Sequence, residues 1–307
     1  MKAERTIQYL RHGQIDKTRW DACIEASSNG LVYGYSFYLD QMAGDWEALV
    51  MDDYQMVMPL TAKKKYGIQY LAQPFLTAQL GLFGNGIDAG LMEQFFLAIP
   101  SRFKYCDIYL NHGNVFSVPG YELYNRTNFI LDLEKNYEDI EKGYRENIRR
   151  NIRRCREAGC VAANTTGVDA VIDLAMNQMQ KQSSESLRHV SDFTKLFHLL
   201  EQKKMAEVHG IVSPAGKLLA SAVFFFSHGR TYYILVGNHP DGRTLGASHA
   251  LIDSFIKQNS GKKLLLDFEG SDIRNLAFFY SSFGAKEEMY AALKWNRLPA
   301  LMKWIKK

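Results

Sequence analysis

The sequence predicts a mixed α and β fold in two similar halves, each a mostly antiparallel sheet flanked by helices. The chain has 307 residues, which corresponds to about two domains of ordinary size. It is 47% hydrophobic, 23% charged and 13% aromatic, so it can bury a core and is not disordered. The order helix, helix, antiparallel strands, glycine-containing loop, helix, strand, strand is predicted in both halves.

Composition also narrows the class of protein. The longest apolar run, residues 218–226, is about half the roughly 20 residues that a membrane-spanning helix needs. Residues 1–8 contain no apolar segment of the kind found in secretory signals. The 4 cysteines form no C-x-x-C pair, and the net charge of +4 is mild. We therefore expect a cytoplasmic protein with reduced thiols and no transmembrane segment.

The first half contains the fainter copy of the pattern. Helices are predicted at residues 17–26, 36–42 and 91–102. Strands are predicted at residues 46–51, 55–62, 105–110 and 124–131. A turn at Asp52 and Asp53 joins the first two strands, and a glycine-rich stretch, residues 81–90, precedes the third helix.

The second half repeats this order more clearly. Helices are predicted at residues 169–181, 246–258 and 272–282, and a further one is marked by Phe193, Leu196, Phe197 and Leu200. Strands are predicted at residues 206–212, 217–227, 231–236, 263–268 and 286–295, with a loop at residues 237–244.

An arginine-rich helix is predicted between the halves, within residues 137–159. Its apolar face carries Tyr144, Ile148, Ile152 and Cys155, and Gly159 is placed to end it. The flanks carry Arg145, Arg149, Arg150, Arg153, Arg154 and Arg156. These guanidinium groups suit phosphate on an RNA or a nucleotide-linked substrate. The alternative is an exposed helix whose arginines pair with the other half of the chain.

The loop and helix start at residues 237–248 suggest a phosphate site of another kind. The stretch nearly matches a P-loop, but Arg243 replaces the P-loop lysine and the preceding strands are antiparallel. Small residues from Gly246 to Ser248 would let backbone N–H groups approach a pyrophosphate at a helix N-terminus. The alternative is an ordinary start of a helix. A nucleophile elbow at Ser248 is not favoured, because it does not follow a strand directly.

Two carboxylates, Asp267 and Glu269, follow a buried strand, in the sequence Asp-Phe-Glu-Gly-Ser at residues 267–271. Strand ends are where open α/β folds place functional groups, and a carboxylate there could accept the proton of an amine. Alternatively, one carboxylate caps the next helix and the other is solvated. The 8 histidines show no metal-ligand spacing, so no metal is expected.

Taken together, these motifs resemble the FemABX-type branch of the GNAT acyltransferase superfamily. The most specific parts are residues 267–271 and the Phe-Tyr-Ser-Ser-Phe-Gly-Ala sequence at residues 279–285. The arginine-rich helix ending at Gly159 is a second part. Weaker parts are residues 35–39, Trp46, residues 59–60 and residues 80–84.

The resemblance implies two tandem GNAT-like domains. The first, residues 1–135, lies on the acceptor side. The second, residues 160–307, holds the acyl donor, and residues 136–159 connect them. Bacterial members of this branch move an amino acid from aminoacyl-tRNA to an amine of a peptidoglycan precursor, in cell-wall synthesis. Relatives use acetyl-CoA or other acyl-CoA thioesters. Members that use tRNA carry Phe-Lys where this chain has Phe279 and Tyr280, which favours a CoA thioester donor or an unusual amine acceptor.

The implied function is N-acyl transfer to an amine, on a small molecule or a cell-envelope precursor. Asp267 or Glu269 would accept the amine proton, and Tyr280 would protonate the leaving thiolate. The expected donor-site residues are Arg243, Gly246, Ala247 and Ser248, and the expected acceptor-binding residues are Tyr35, Arg149, Arg150 and Arg153. The alternative function is a non-catalytic GNAT-like module that binds an anionic glycan precursor or RNA.

Overall fold

A computed structural model describes residues 5–163, 167–179, 184–270 and 272–299. The chain forms two compact units: residues 1–126 with 289–307, called unit 1, and residues 127–288, called unit 2. Met1, Lys181 and Ser271, which the sequence predictions include, lie outside the described residues.

Unit 1 is built of short helices and two groups of strands. Its elements are β1 (Ile7–Leu10), α1 (Lys17–Ala26), α2 (Ser36–Met42), β2 (Glu47–Met51), β3 (Met56–Leu60), β4 (Ala62–Lys65), β5 (Ile68–Ala72), β6 (Phe83–Gly84), α3 (Ala89–Ala98) and β7 (Phe103–Tyr109), with 3₁₀ turns at His12–Gln14 and Val32–Gly34. Asp16 and Asp88 cap α1 and α3, because their side chains accept from backbone N–H groups of the first turn.

The chain then passes into unit 2 and returns through its last strand. The elements are β8 (Leu123–Asp132), α4 (Tyr137–Lys142), α5 (Glu146–Glu157), β9 (Val161–Ala163), α6 (Val168–Met179), α7 (Ser184–Gln202), β10 (Ala206–Val212), β11 (Leu218–Ser227), β12 (Arg230–Asn238), α8 (Pro240–Leu245), α9 (Ala247–Asn259), β13 (Leu265–Asp267), α10 (Arg274–Ser281) and β14 (Lys286–Asn296).

Strand pairing is mostly antiparallel in both units. In unit 1, one sheet has the order β1-β2-β3-β6, and a second group has the order β4-β5-β7-β14. In unit 2 the order is β8-β13-β12-β11-β10-β9. The parallel pairs among these are β5 with β7 and β12 with β13. This mixed architecture with flanking helices confirms the predicted fold class.

The splitting of β12 from β13 positions the candidate site. The two strands pair only where Arg230–Tyr232 faces Leu265–Asp267. From Tyr233 to Asn238, β12 still pairs with β11, with a shift of register at Ile234, and has left β13. A stretch of the β12 edge is therefore without its β13 neighbour.

The core of unit 2 forms between the sheet and helices α5 and α9. Phe255 on α9 stacks on Phe224 of β11 with ring centroids 3.7 Å apart, and both side chains are fully buried. Burying a phenylalanine stabilises a fold by about 2–3 kcal/mol relative to leaving it exposed. Ile148 and Cys155 of α5 join the same cluster. The start of α9 is thus held firmly against α5.

Several sequence predictions are confirmed at the level of elements, and others are wrong. Helices α1 and α2 and strand β10 have the predicted bounds. The predicted helix within residues 137–159 is two helices, because Gly143 ends α4 before α5 begins. The predicted loop at residues 237–244 contains α8, in which Pro240 occupies the first turn. The predicted domain boundaries and the relation of the two halves stay predictions.

Candidate functional site

A cavity of about 390 Å³ lies in unit 2, beside the part of β12 that has left β13. We call it the β12 cavity. Its lining residues are Gln178, Tyr233, Val236, Asn238, Arg243, Gly246, Ser248, His249, Leu276, Phe279 and Tyr280. All of them belong to residues 127–288, so the cavity is formed within one compact unit. It brings together predicted donor-site residues and the predicted acid, Tyr280.

One end of the β12 cavity is polar and lies where α8 meets α9. The Ser248 hydroxyl donates to the side-chain oxygen of Asn238, whose backbone N–H donates to Gln178 Oε1 over 3.2 Å. Arg243 is exposed on α8 and adds a guanidinium. Gly246 ends α8 and begins α9, whose first amides have no acceptor within the helix. N–H donors and positive charge together suit a phosphate group.

Gly246 is also required by packing. Its φ of 80° lies in the left-handed region, which glycine adopts without strain. A Cβ at this position would lie 2.7 Å from the carbonyl oxygen of Asn151 on α5. From the sequence, we explained the glycine at position 246 by the close approach of a pyrophosphate. The close approach of α5 is sufficient to explain why position 246 is a glycine.

Ala247 differs from the other predicted donor-site residues. Its side chain is fully buried and belongs to the core cluster of unit 2. It does not line the cavity, so its only group available to a ligand is the backbone N–H at the start of α9.

The other end of the β12 cavity is aromatic. The ring of Tyr280 stacks on Phe268 at a centroid distance of 4.7 Å, and Tyr233 meets Phe268 edge-on at 6.1 Å. Burial, and then the negative charge of Glu269, raise the pKa of Tyr280 above its ordinary value. The phenol is therefore protonated at neutral pH and can donate a hydrogen bond.

Asp267 lies in a buried ion-pair cluster and does not line the β12 cavity. Arg230 Nη1 donates to Asp267 Oδ2 over 3.1 Å, and Arg230 Nη2 donates to Glu288 Oε1 over 2.6 Å. Burial raises the pKa of Asp267, although the charge of Arg230 acts in the opposite direction. Asp267 thus has an ion-pair partner in Arg230. Its catalytic role stays a prediction.

Glu269 has an unusual backbone that Asp267 supports. Its φ of 62° is left-handed, and its N–H donates to Asp267 Oδ1 over 2.8 Å. Its charge contributes to the raised pKa of Tyr280, so its carboxylate acts electrostatically on the phenol at the cavity. Ile273 occupies the N-cap of α10, so the interpretation of a carboxylate cap there is wrong.

His249 lines the β12 cavity and was not predicted as a site residue. Its Nδ1 is buried and has no hydrogen-bond partner among the described residues, and its Nε2 lies 3.5 Å from Asn151 Nδ2. Burial, and then the charge of Arg154, lower its pKa to about 4. The imidazole is therefore neutral at neutral pH. The only signal in the sequence was that His249 directly follows Ser248. That pairing was interpreted as part of a nucleophile elbow, which the sequence does not favour.

Because the pKa of His249 falls from 6.5 to about 4 on folding, the unfolded chain binds its proton first as the pH falls. Stability should therefore decrease between pH 6.5 and pH 4, by on the order of 3 kcal/mol from this group. Urea unfolding of the parent and of His249→Gln across this pH range measures the pH dependence of the free energy of unfolding. The variant should show a flatter pH dependence, and equal slopes would contradict the assignment.

The arginine-rich helix is α5, and two of its arginines have structural partners. Arg149 Nη2 donates to the carbonyl oxygens of Glu141 over 2.9 Å and Lys142 over 3.2 Å, at the end of α4. Arg154 Nη1 donates to the carbonyl oxygen of Thr244 over 3.1 Å and so ties α5 to α8. These contacts favour a packing role for both residues.

The remaining predicted acceptor-binding residues lie in different places. Arg150 and Arg153 are exposed on α5. Tyr35 lies in unit 1, where it is 6% exposed, its hydroxyl donates to Glu25 and its ring stacks on Phe37. Contact of these residues with an acceptor stays a prediction.

Two kinds of feature are absent from the described residues. No helix among them is long and apolar enough to cross a membrane. Their His, Cys, Asp and Glu side chains form no group of three or more that could hold a metal ion.

The family comparison matches the part of the chain that contains most of this site. Residues 142–270 match the model of the acetyltransferase (GNAT) domain. The matched segment includes the stretch of β12 that no longer pairs with β13 and the junction of α8 with α9. The chain thus contains a segment that matches a GNAT acetyltransferase domain within the mixed α and β fold described above. No curated protein matches the sequence significantly.

Solved structures resemble the chain over nearly its whole length. FemX has a TM-score of 0.64 at 12% identity, covering 99% of this chain and 100% of FemX. L-PGS from Bacillus licheniformis has a TM-score of 0.57 at 12% identity, covering 94% and 95%. A conserved protein of unknown function from Bacteroides thetaiotaomicron has a TM-score of 0.57 at 13% identity, covering 91% and 97%. These likenesses establish the fold.

The predicted resemblance to the FemABX-like branch of the GNAT superfamily is thus confirmed. Residues 142–270 match a GNAT domain, and the fold of nearly the whole chain is similar to that of FemX.

Proposed function

We propose that this protein transfers an acyl group from a CoA thioester to the nitrogen of an amine. The observation that carries the proposal is the β12 cavity, which lies in unit 2 beside the unpaired edge of β12. Its polar end suits the phosphates of CoA and its aromatic end suits an acyl group. Aminoacyl-tRNA is the alternative donor, and a peptidoglycan or other cell-envelope precursor is the proposed type of acceptor.

The polar end would bind the donor through charge and backbone donors. Arg243 would pair with a phosphate, and the free N–H groups at Ala247 and Ser248 would donate to another. The thioester would then extend along β12 from Asn238 towards Tyr233. A backbone N–H on this unpaired edge would polarise the thioester carbonyl as negative charge develops on its oxygen.

Direct attack by a neutral amine on the thioester carbonyl needs no covalent intermediate on the protein. The carbon–nitrogen bond forms, the carbon–sulfur bond breaks, and the amine loses one proton. Glu269 would accept that proton through water, and its negative charge already contributes to the raised pKa of Tyr280. Tyr280 would give its proton to the leaving thiolate, since its raised pKa keeps the phenol protonated.

Replacing Tyr280 with phenylalanine keeps the ring stacked on Phe268 and removes only the hydroxyl. If Tyr280 is the general acid, turnover should fall about 100-fold with stability nearly unchanged. A purely structural hydroxyl would instead contribute about 1 kcal/mol of stability and leave turnover intact. Steady-state kinetics and urea unfolding of the same variant separate the two, and full activity would remove Tyr280 from the mechanism.

The donor class is tested by the melting temperature of the full chain with CoA, acetyl-CoA, a longer acyl-CoA or total aminoacyl-tRNA. A ligand that binds only the folded protein raises the melting temperature with its concentration. Stabilisation by the CoA compounds supports the proposal. Stabilisation by aminoacyl-tRNA alone, or by none of these ligands, would overturn it.

A further inference from the structure

Apolar surface continues from the aromatic end of the β12 cavity to the outside of α10. Leu276 lines the cavity and is also 40% exposed, so it lies at the mouth. Ile273, three residues earlier at the N-cap of α10, is 63% exposed. Contiguous exposed apolar residues beside a cavity commonly mark a binding surface.

This apolar wall is longer than an acetyl group requires. From Phe279 to Leu276 it extends about 4.5 Å along α10, at the helical rise of about 1.5 Å per residue. The exposed Ile273 lies beyond it, at the N-cap of α10. The methyl group of an acetyl thioester bound near Tyr280 would be too short to reach Leu276, so the Leu276 side chain would stay exposed to water. A chain of several carbons would cover it.

The charges around the cavity favour an uncharged acyl group. Among the described residues that line it, none carries a carboxylate. Arg243 lies at the opposite, polar end, and the lowered pKa of His249 leaves that ring neutral. A positively charged amino group packed against Leu276 and Phe279 would lose its hydration without gaining a counter-charge from the lining. The carboxylate that acts on this end of the cavity, Glu269, does not line it and is the group proposed to accept the proton of the amine.

We propose that the acyl group carried by the donor is an uncharged apolar chain longer than acetyl, which packs along Tyr233, Phe279 and Leu276. This inference rests on the proposed function, since it assumes that the thioester occupies the β12 cavity. It distinguishes the donor from an aminoacyl group, which carries an ammonium.

The test is titration calorimetry of the full chain with CoA, acetyl-CoA and octanoyl-CoA. Each methylene that leaves water is worth about fourfold in affinity. We expect octanoyl-CoA to bind at least tenfold more tightly than acetyl-CoA. Equal affinities would overturn the inference while leaving the proposed function standing. If CoA itself does not bind, the proposed function fails as well.

Two variants and a matched pair of ligands test where the acyl chain of the donor binds. Leu276→Asp should bring the ratio of octanoyl-CoA to acetyl-CoA affinity close to one. Phe278→Asp is the control, because Phe278 is 52% exposed on the same helix but does not line the cavity, so the ratio should stay at the parent value. Butyryl-CoA should bind more tightly than β-alanyl-CoA, which has an ammonium in place of the terminal methyl. An unchanged ratio in Leu276→Asp, or tighter binding of β-alanyl-CoA, would contradict the inference.

Discussion

Replacing Gly246 with alanine is expected to lower the free energy of unfolding by about 3 kcal/mol. Left-handed backbone costs a residue with a side chain about 1–2 kcal/mol. In addition, the new Cβ would lie 2.7 Å from the carbonyl oxygen and 2.8 Å from the Cβ of Asn151, so α5 and α9 would have to separate. Urea unfolding of the parent and the variant measures the loss.

Gly229→Ala is the matched control for this effect. Gly229 has a φ of 66°, also left-handed, but a Cβ there would meet nothing within 4 Å. It should therefore lose only the backbone contribution, about 1–2 kcal/mol. Equal losses in the two variants would show that the contact with α5 does not constrain position 246.

Replacing Arg230 with alanine is expected to lower the free energy of unfolding by about 3–5 kcal/mol, because it leaves the buried Asp267 and the partly buried Glu288 without their counter-charge. Arg230 is 7% exposed and bonds both Asp267 and Glu288. Asn128 also donates to Glu288, over 3.2 Å, so the cluster links residues of the four strands β8, β12, β13 and β14. Thermal and urea unfolding should both report the loss.

A surface ion pair provides the comparison for Arg230. Lys217 bonds Asp241 over 2.7 Å, but the two side chains are 48% and 59% exposed. Lys217→Ala should therefore cost less than about 1 kcal/mol. A similarly small loss in Arg230→Ala would contradict the account of the buried cluster.

Periodicity predicted the elements whose apolar residues meet one core. Phe193, Leu196, Phe197 and Leu200 all lie buried on α7, as their spacing indicated. The hairpin of β4 and β5 was missed because three lysines, Lys63–Lys65, interrupt the alternation that marks a strand. The sequence pattern predicted a loop where the structure has helix α8, although proline is common in the first turn of a helix and Pro240 occupies that place.

The candidate site was predictable where its residues are close in sequence. Arg243, Gly246 and Ser248 follow one another around a helix start, and the structure brings them to one cavity with Tyr280. The partner of Asp267 was not predictable, because Arg230 lies 37 residues away and reaches it only through the pairing of β12 with β13.

The same limit applies to residues whose side-chain direction depends on tertiary packing. Ala247 has the small side chain expected beside a phosphate, yet it faces the core because α9 packs against α5. Val236 and Leu276 carry no chemical signal in the sequence and become site residues only because β12 diverges from β13 and α10 follows.

The most direct test of the central claim, a CoA site at the junction of α8 and α9, is calorimetric titration of CoA into three proteins. These are the parent, Arg243→Glu at the cavity, and Arg153→Glu on the exposed flank of α5 as a control of equal charge change. We predict that CoA binds the parent, that Arg243→Glu weakens binding at least tenfold, and that Arg153→Glu leaves it unchanged. CoA binding of equal strength in the parent and Arg243→Glu would contradict the account.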